Sequence, residues 1–355
     1  MEKSIVKVIE KIESNGFEAY VVGGYVRDYL LGKKSYDIDI CTNALPKDIY
    51  NIFNITANNY GGANLKIGKY NIDITTYRKE LKYKDRFPVK IEYINSVQED
   101  ILRRDFTINA ICMGKMGKIY DYLNGIQDLN NRVLKMIGDP DERLKEDPLR
   151  ILRTIRFYAI LNFNLDDKLY ESLKKNYYLV DTLSKTKIKE EIGKILMDKS
   201  FNRALILMED LGINNVLNIT YKDVIFVNDL IGMFAQIDIK GIPFTKIEKK
   251  NIMMVREVIK YGKIDNYSLY KYGLYVNLIG GKILNYNSKF VNKLYKKLPI
   301  KKRKDIDIDS NYLINVLNIN NNKLNEVYNV LEEEILKSNL KNQKKEIVNF
   351  IREGS

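Results

Sequence analysis

The pattern of apolar and polar positions changes character near residue 135. Before it, short runs of β-branched and aromatic residues alternate with helical segments. Strands are expected at Phe17–Val22, Tyr36–Cys41, Leu65–Ile67, Tyr70–Thr76, Lys90–Ile94, Ala110–Met113 and Lys118–Tyr122. Gly68-Lys69 suits a hairpin turn between two of them. Ser96-Val97-Gln98-Glu99 has the form of a capping box and predicts a helix running to about Asn109. Beyond residue 135 the periodicity is helical almost throughout. Leu149, Ile151, Leu152, Ile155, Phe157, Ile160 and Leu161 recur at helical spacing, and Ile188–Leu196, Ala204–Leu211 and Leu324–Leu336 behave alike. No repeat of fixed period is present, which argues against a helical solenoid.

A chain of 355 residues is too long for one core, so two or more domains are expected. Histidine is absent, which removes catalytic triads, His-based acid–base chemistry, HExxH zinc sites and His–Asp phosphohydrolase sites. Two cysteines, Cys41 and Cys112, make neither a disulfide framework nor a zinc site. There is no apolar run of membrane-spanning length and no signal-peptide pattern, so a cytoplasmic protein is expected. The net charge of +13 favours a polyanionic partner, although abundant Lys, Asn, Ile and Tyr also fit a compositional bias. Basic runs such as Lys249-Lys250, Lys296-Lys297 and Lys301-Lys302-Arg303-Lys304 suit solvated faces, some of them meeting RNA phosphates.

Tyr36-Asp37-Ile38-Asp39-Ile40 is the chemical centre. On a strand, Asp37 and Asp39 share one face while Ile38 and Ile40 enter the core. Paired carboxylates repel unless a cation lies between them, and hard oxygen ligands suit Mg²⁺. Asp73 repeats the alternation and offers a third acidic group. Upstream, Val22-Gly23-Gly24-Tyr25-Val26-Arg27-Asp28 joins a strand to a helix through paired glycines, a suitable phosphate site with Arg27 one turn in. An ordinary tight turn would look the same; the Asp-x-Asp that follows closely is what favours a triphosphate cradle. In Glu146–Phe157, Arg150, Arg153 and Arg156 form a stripe among core positions and need anionic partners. Asp147 before Pro148 also reads as a helix cap.

With these elements in order, the chain resembles the class II tRNA nucleotidyltransferases and bacterial poly(A) polymerases of the polymerase-β-like superfamily. The resemblance rests on Gly23–Gly32 with Asp37–Thr42, then Asp73–Arg78, Arg103-Arg104-Asp105-Phe106-Thr107-Ile108-Asn109-Ala110, Gly125–Leu129 and Glu146–Phe157. It is strong over residues 17–165, with weaker echoes at Ser184–Leu196 and Asp309–Phe350. It implies an α/β polymerase-β-like nucleotidyltransferase head (1–135) followed by an all-α neck (136–200), body (201–265) and tail (266–355). Carried over by motif, Gly24, Arg27 and Arg104 contact the incoming nucleotide and Asp37 and Asp39 bind metal. Asp147 and Arg150 read the base, with Arg153 and Arg156 nearby.

The implied activity is addition of C, C and A from CTP and ATP to the 3′ end of tRNA, with two Mg²⁺ ions and no obligate protein partner. Cytosine and adenine both present an amine donor beside a ring-nitrogen acceptor, which a carboxylate and a guanidinium can match; guanine and uracil present the reverse order. Poly(A) synthesis, addition of only C or only A, and a catalytically silent RNA-binding protein are the alternatives. Ser184-Lys185-Thr186-Lys187-Ile188 departs from the usual Glu-Arg of the family. The segment Lys79–Pro88, with Tyr83, Asp85 and Arg86 near its middle, is expected to be a loop able to reshape the nucleotide pocket between C and A addition.

Overall fold

In the computed structural model, which describes residues 1–56, 62–84 and 87–353, the alternating runs pair into one mixed sheet. Helix α1 (Lys3–Glu13) precedes β1 (Ala19–Val22), α2 (Gly24–Leu30), β2 (Asp37–Thr42), α3 (Pro46–Phe53), β3 (Gly62–Ile67) and β4 (Tyr70–Thr76). Then come β5 (Arg78–Lys84), β6 (Phe87–Tyr93), α4 (Val97–Ile101), β7 (Cys112–Met113) and β8 (Ile119–Tyr120). The six-stranded sheet has the order β3-β4-β2-β1-β7-β8, with β2 and β4 parallel and the other neighbours antiparallel. Ile38, Ile40, Ile72 and Ile74 are buried on one face against Ile5, Ile9, Val26 and Ile49 from α1, α2 and α3. That packing turns the intervening acids to the opposite face.

Two expectations are corrected here. The segment Lys79–Pro88 is mostly an antiparallel hairpin of β5 and β6, rather than a loop. Asp85 and Arg86 lie outside the described residues, as does the side chain of Tyr83. The helix opened by Ser96, whose hydroxyl accepts the Glu99 N–H, ends at Ile101 instead of Asn109. Non-local pairing wins after that point: Phe106 bridges Met136, the Thr107 N–H donates to the Lys135 carbonyl at 3.1 Å, and the Ile137 N–H to the Asp105 carbonyl at 3.0 Å. Glu99 does not close the capping box but pairs with Lys79.

Helix α5 (Gly125–Asn131) packs so tightly on this stretch that a Cβ on Gly125 would overlap the Thr107 carbonyl oxygen. Strand β9 (Val133–Leu134), α6 (Pro140–Glu146), α7 (Leu149–Leu161), β10 (Asn164–Leu165), α8 (Asp167–Asn176), α9 (Lys185–Leu196), α10 (Phe201–Asp210) and α11 (Ile213–Leu217) follow. They complete a first compact unit, Met1–Asn218.

The second unit, Ile219–Ser355, is mostly helical. A short ribbon of β11 (Ile219–Tyr221) and β12 (Ile237–Ile239) brackets α12 (Leu230–Ala235). Helices α13 (Lys246–Tyr261), α14 (Asn266–Ile283), α15 (Ser288–Lys296), α16 (Ser310–Asn315), α17 (Leu324–Leu336) and α18 (Lys344–Glu353) follow. Lys249, Lys250, Lys296, Lys297, Lys301 and Lys302 are exposed, as expected. Arg303 differs from its neighbours. Its guanidinium binds Glu332 at 2.7 Å and Asn325 at 3.2 Å on α17, so it is a packing residue of this unit. Among the described residues no helix is long and apolar enough to cross a membrane.

Candidate active site

Strand β1 ends at Val22, and Gly23 turns the chain into α2 with φ +80° and ψ −142°, a combination that side chains disfavour. A Cβ on Gly23 would lie 2.8 Å from Asp39 Oδ2 and 3.9 Å from Arg104 Nη1. The bare backbone therefore admits the carboxylate and the guanidinium to one point. Asp37, Asp39 and Asp73 are all exposed on the face opposite the isoleucines. Parallel pairing sets Asp39 directly against Asp73 and Asp37 against Asn71. Asn71 Nδ2 donates to Asp37 at 3.0 Å, and Asn64 Nδ2 to Asp73 at 2.8 Å.

Crowding by protein atoms pushes the Asp39 carboxyl above its usual range; Arg104 opposes this, and the negative charges of Asp73 and Asp37 add to it. Added positive charge would relieve that repulsion, so the donor set suits a hard divalent cation. Among the described residues no cluster of three or more acidic or thiol side chains forms a complete metal cage. An ion held by these acids would take its remaining oxygens from substrate and water, which is the usual habit of Mg²⁺.

The arginines are anchored by residues that composition did not single out. Arg27 is buried beside Gly24, donating through Nε and Nη2 to Asp28 at 2.9 and 2.8 Å and through Nη1 to Asn109 at 2.8 Å. Asn109 Nδ2 donates to Asp105 at 3.1 Å, and Arg153 Nε reaches the other Asp105 oxygen at 2.8 Å. Burial pushes the Asp105 carboxyl up, but Arg153, Asn109 and the Phe106 N–H outweigh it and hold it at about 2. The Phe157 ring gathers three guanidinium groups, Arg156 at 4.5 Å, Arg27 at 5.1 Å and Arg153 at 5.5 Å, and meets Phe106 edge-on at 5.6 Å. Arg156 also pairs with the buried Glu191 of α9 at 2.9 Å. A polar chain thus links the glycine turn to α7. Asp105 and Asn109 are four residues apart and bond each other, but their arginine partners, Arg153 and Arg27, come from distant segments.

Asp147 sits between α6 and α7 with extended backbone, and its Oδ1 accepts the Leu149 N–H at 3.2 Å. The expected N-cap is shifted by one residue: α7 starts at Leu149 with Pro148 at its N-cap, and Asp147 meets the first helical N–H from one residue further back. Arg150 is buried and faces protein: Nη1 donates to the Arg143 carbonyl at 2.9 Å and Glu146 at 3.3 Å, and Nη2 to the Arg103 carbonyl at 3.3 Å. The structure therefore gathers Gly23, Gly24, Arg27, Asp37, Asp39, Asp73 and Arg104 around one turn. It joins Arg153 and Arg156 to Arg27 through Phe157, and holds Arg150 against the backbone before Asp105.

A mixed sheet carrying an Asp-x-Asp beside a diglycine turn defines a nucleotidyltransferase head. Residues 19–135 match the family model for the poly A polymerase head domain, residues 162–218 that for the RNA- and SrmB-binding site of polymerase A, and residues 239–351 that for tRNA nucleotidyltransferase domain 2. The CCA-adding enzyme of Staphylococcus haemolyticus is 30% identical, the alignment spanning 98% of this chain and 96% of that one. The one from Lactococcus lactis subsp. cremoris is 31% identical over 97% and 94%. The crystal structure of the Bacillus stearothermophilus CCA-adding enzyme in complex with CTP has the same fold, with TM-score 0.83, 21% identity and coverage of 99% and 98%. The solved structure of the Thermotoga maritima CCA-adding enzyme complexed with tRNA gives TM-score 0.67 and 19% identity over 100% and 97%. The chain belongs to the family of CCA-adding enzymes and is a nucleotidyltransferase.

Proposed function

We propose that this protein adds C, C and A to the 3′ end of tRNA from CTP and ATP, in the cytoplasm and without a nucleic-acid template. The observation that carries the reading is the meeting of Asp39 and Arg104 at the Cβ-free Gly23, beside Arg27. Residues 1–135 act as the catalytic head, 136–200 as a nucleotide-selecting neck, 201–265 as body and 266–355 as the tRNA-binding tail.

Asp37 and Asp39 would hold Mg²⁺, with Asp73 adding negative charge beside them. Two such ions, when bound, supply activation of the primer hydroxyl and charge neutralisation on the departing pyrophosphate. Gly24 lets the backbone approach the triphosphate, while Arg27 and Arg104 direct positive charge at it. Asp147 accepts from the exocyclic amine shared by C and A, and Arg150 donates to the adjacent ring nitrogen. To meet a base, Arg150 must give up its bond to the Arg143 carbonyl at 2.9 Å as well as those at 3.3 Å to Glu146 and the Arg103 carbonyl. Arg153 and Arg156 hold the flank of the nucleotide site through Phe157.

The test is to incubate tRNA lacking its 3′ terminus with each NTP and sequence the products. Ordered C, C, A addition is expected. Long A tracts formed without use of CTP mean poly(A) synthesis instead, and binding without incorporation means a silent RNA-binding protein.

A further inference from the structure

One buried acid of the head is used by nothing described so far. Asp100, near the end of the short helix α4, has no solvent exposure, yet it receives donors from three arginines. Its Oδ1 accepts the backbone N–H of Arg78 at 3.1 Å and Arg103 Nε at 3.0 Å; its Oδ2 accepts Arg104 Nη2 at 3.2 Å.

These partners belong to two different parts of the head. Arg78 is the first residue of β5, where the chain leaves the central sheet for the β5–β6 hairpin. The preceding Tyr77 N–H is still bonded to the Thr42 carbonyl of β2, at 2.7 Å. Glu80, two residues further along the hairpin, binds the Arg78 guanidinium at 2.9 Å and lies 3.7 Å from Arg103. Arg104 belongs to the site: its Nη1 and the Asp39 carboxylate converge on Gly23.

We infer that Asp100 is a positioning residue that couples the root of the β5–β6 hairpin to Arg104, and through Arg104 to the nucleotide site. A buried carboxylate cannot exchange its partners for water, so a shift of the Arg78 N–H is felt at the acid that aims Arg104. Arg104 gains its orientation there, because its Nε is buried with no hydrogen-bond partner. The hairpin then acts on nucleotide binding without touching the nucleotide. This rests on the reading of Arg104 as a nucleotide-contacting residue.

The test is a double-mutant cycle in the full-length protein. One variant is Asp100→Asn, which keeps an acceptor for the Arg78 N–H but removes the charge facing Arg104. The second replaces residues 82–89 by an Asn-Gly turn, and the third combines the two. KM and kcat are measured for CTP on tRNA lacking CCA and for ATP on tRNA ending in CC, with tRNA affinity and melting as controls. Each single change is expected to raise the nucleotide KM by about ten-fold with a smaller effect on kcat. The double variant should be no worse than the worse single.

Losses that multiply, or a shortened hairpin with unchanged KM, overturn the coupling. If Asp100→Asn does not fold, the same cycle is run with Arg104→Lys, and multiplying losses again overturn it. Wild-type protein that adds neither C nor A rejects the underlying reading, whereas active wild type with an additive cycle rejects only the coupling.

Discussion

Gly23→Ala separates the cost of an unusual backbone from the cost of displacing a catalytic acid. Gly23 has φ +80°, and the new methyl carbon would stand 2.8 Å from Asp39 Oδ2, well inside van der Waals contact. Gly16, in the turn before β1, has φ +87° with nothing within 4 Å of its would-be Cβ. Gly16→Ala therefore measures strain alone, about 1–2 kcal/mol, or roughly 2–8 °C of melting temperature for a unit of this size. Gly23→Ala bears at least that strain, because φ +80° with ψ −142° lies outside the left-handed helical well, and it also forces Asp39 to move by several tenths of an ångström or more. Misplacement of a reacting group by about 1 Å can cost 10²-fold in rate. Nucleotide incorporation by Gly23→Ala is thus expected to fall by about 10²-fold at saturating tRNA, while Gly16→Ala stays near wild type. Melting curves and single-turnover CTP incorporation on the three proteins decide it. If Gly23→Ala melts like Gly16→Ala and keeps incorporation within about two-fold, Asp39 has no part in the chemistry and the assigned centre is wrong.

Asp37→Ala and Asp39→Ala should each abolish incorporation while retaining the fold and tRNA affinity, because both acids lie on the exposed face of the sheet, opposite the isoleucine core; near-normal turnover at ordinary Mg²⁺ refutes the metal assignment. Asp147→Ala should lose about 1 kcal/mol as a cap and also discriminate less well against UTP and GTP; lower stability with intact selectivity would leave it a cap only. Asp105 is depressed to about 2, so its ion pair with Arg153 stabilises the fold fully above about pH 4 and is lost as pH falls toward 2. The difference in unfolding free energy between wild type and Asp105→Asn should then shrink by about 2 kcal/mol over that interval, measured by urea unfolding across pH; a constant difference contradicts the assignment.

Features governed by near neighbours were legible in the chain itself. The alternation around Asp37 and Asp39 placed both acids on one face because strand periodicity is a property of the backbone. Gly68-Lys69 turns between β3 and β4, and Leu324–Leu336 is a helix with the expected limits. Asp147 meets the first N–H of α7 because its short side chain can reach the backbone two residues on.

What the tertiary structure decided were pairings between distant segments. The helix after Ser96 stops at Ile101 because residues 105–107 are claimed by a strand-like partner some thirty residues later, which no propensity reports. Lys79–Pro88, polar and charged, read as a loop, but its two halves satisfy one another's backbone as a hairpin. Arg150, Arg153 and Arg156 were correctly expected to need anionic partners; Glu146 stands only four residues before Arg150, but only the fold could bring Asp105 to Arg153 and Glu191 to Arg156. Asp100 looked like any acid in a helix; enclosure by the hairpin root and two successive arginines makes it a buried junction. The residue types and their spacing determined which chemistry was possible here. Which charges are desolvated, and against whom, depends on contacts across tens of residues, and only the folded chain contains them.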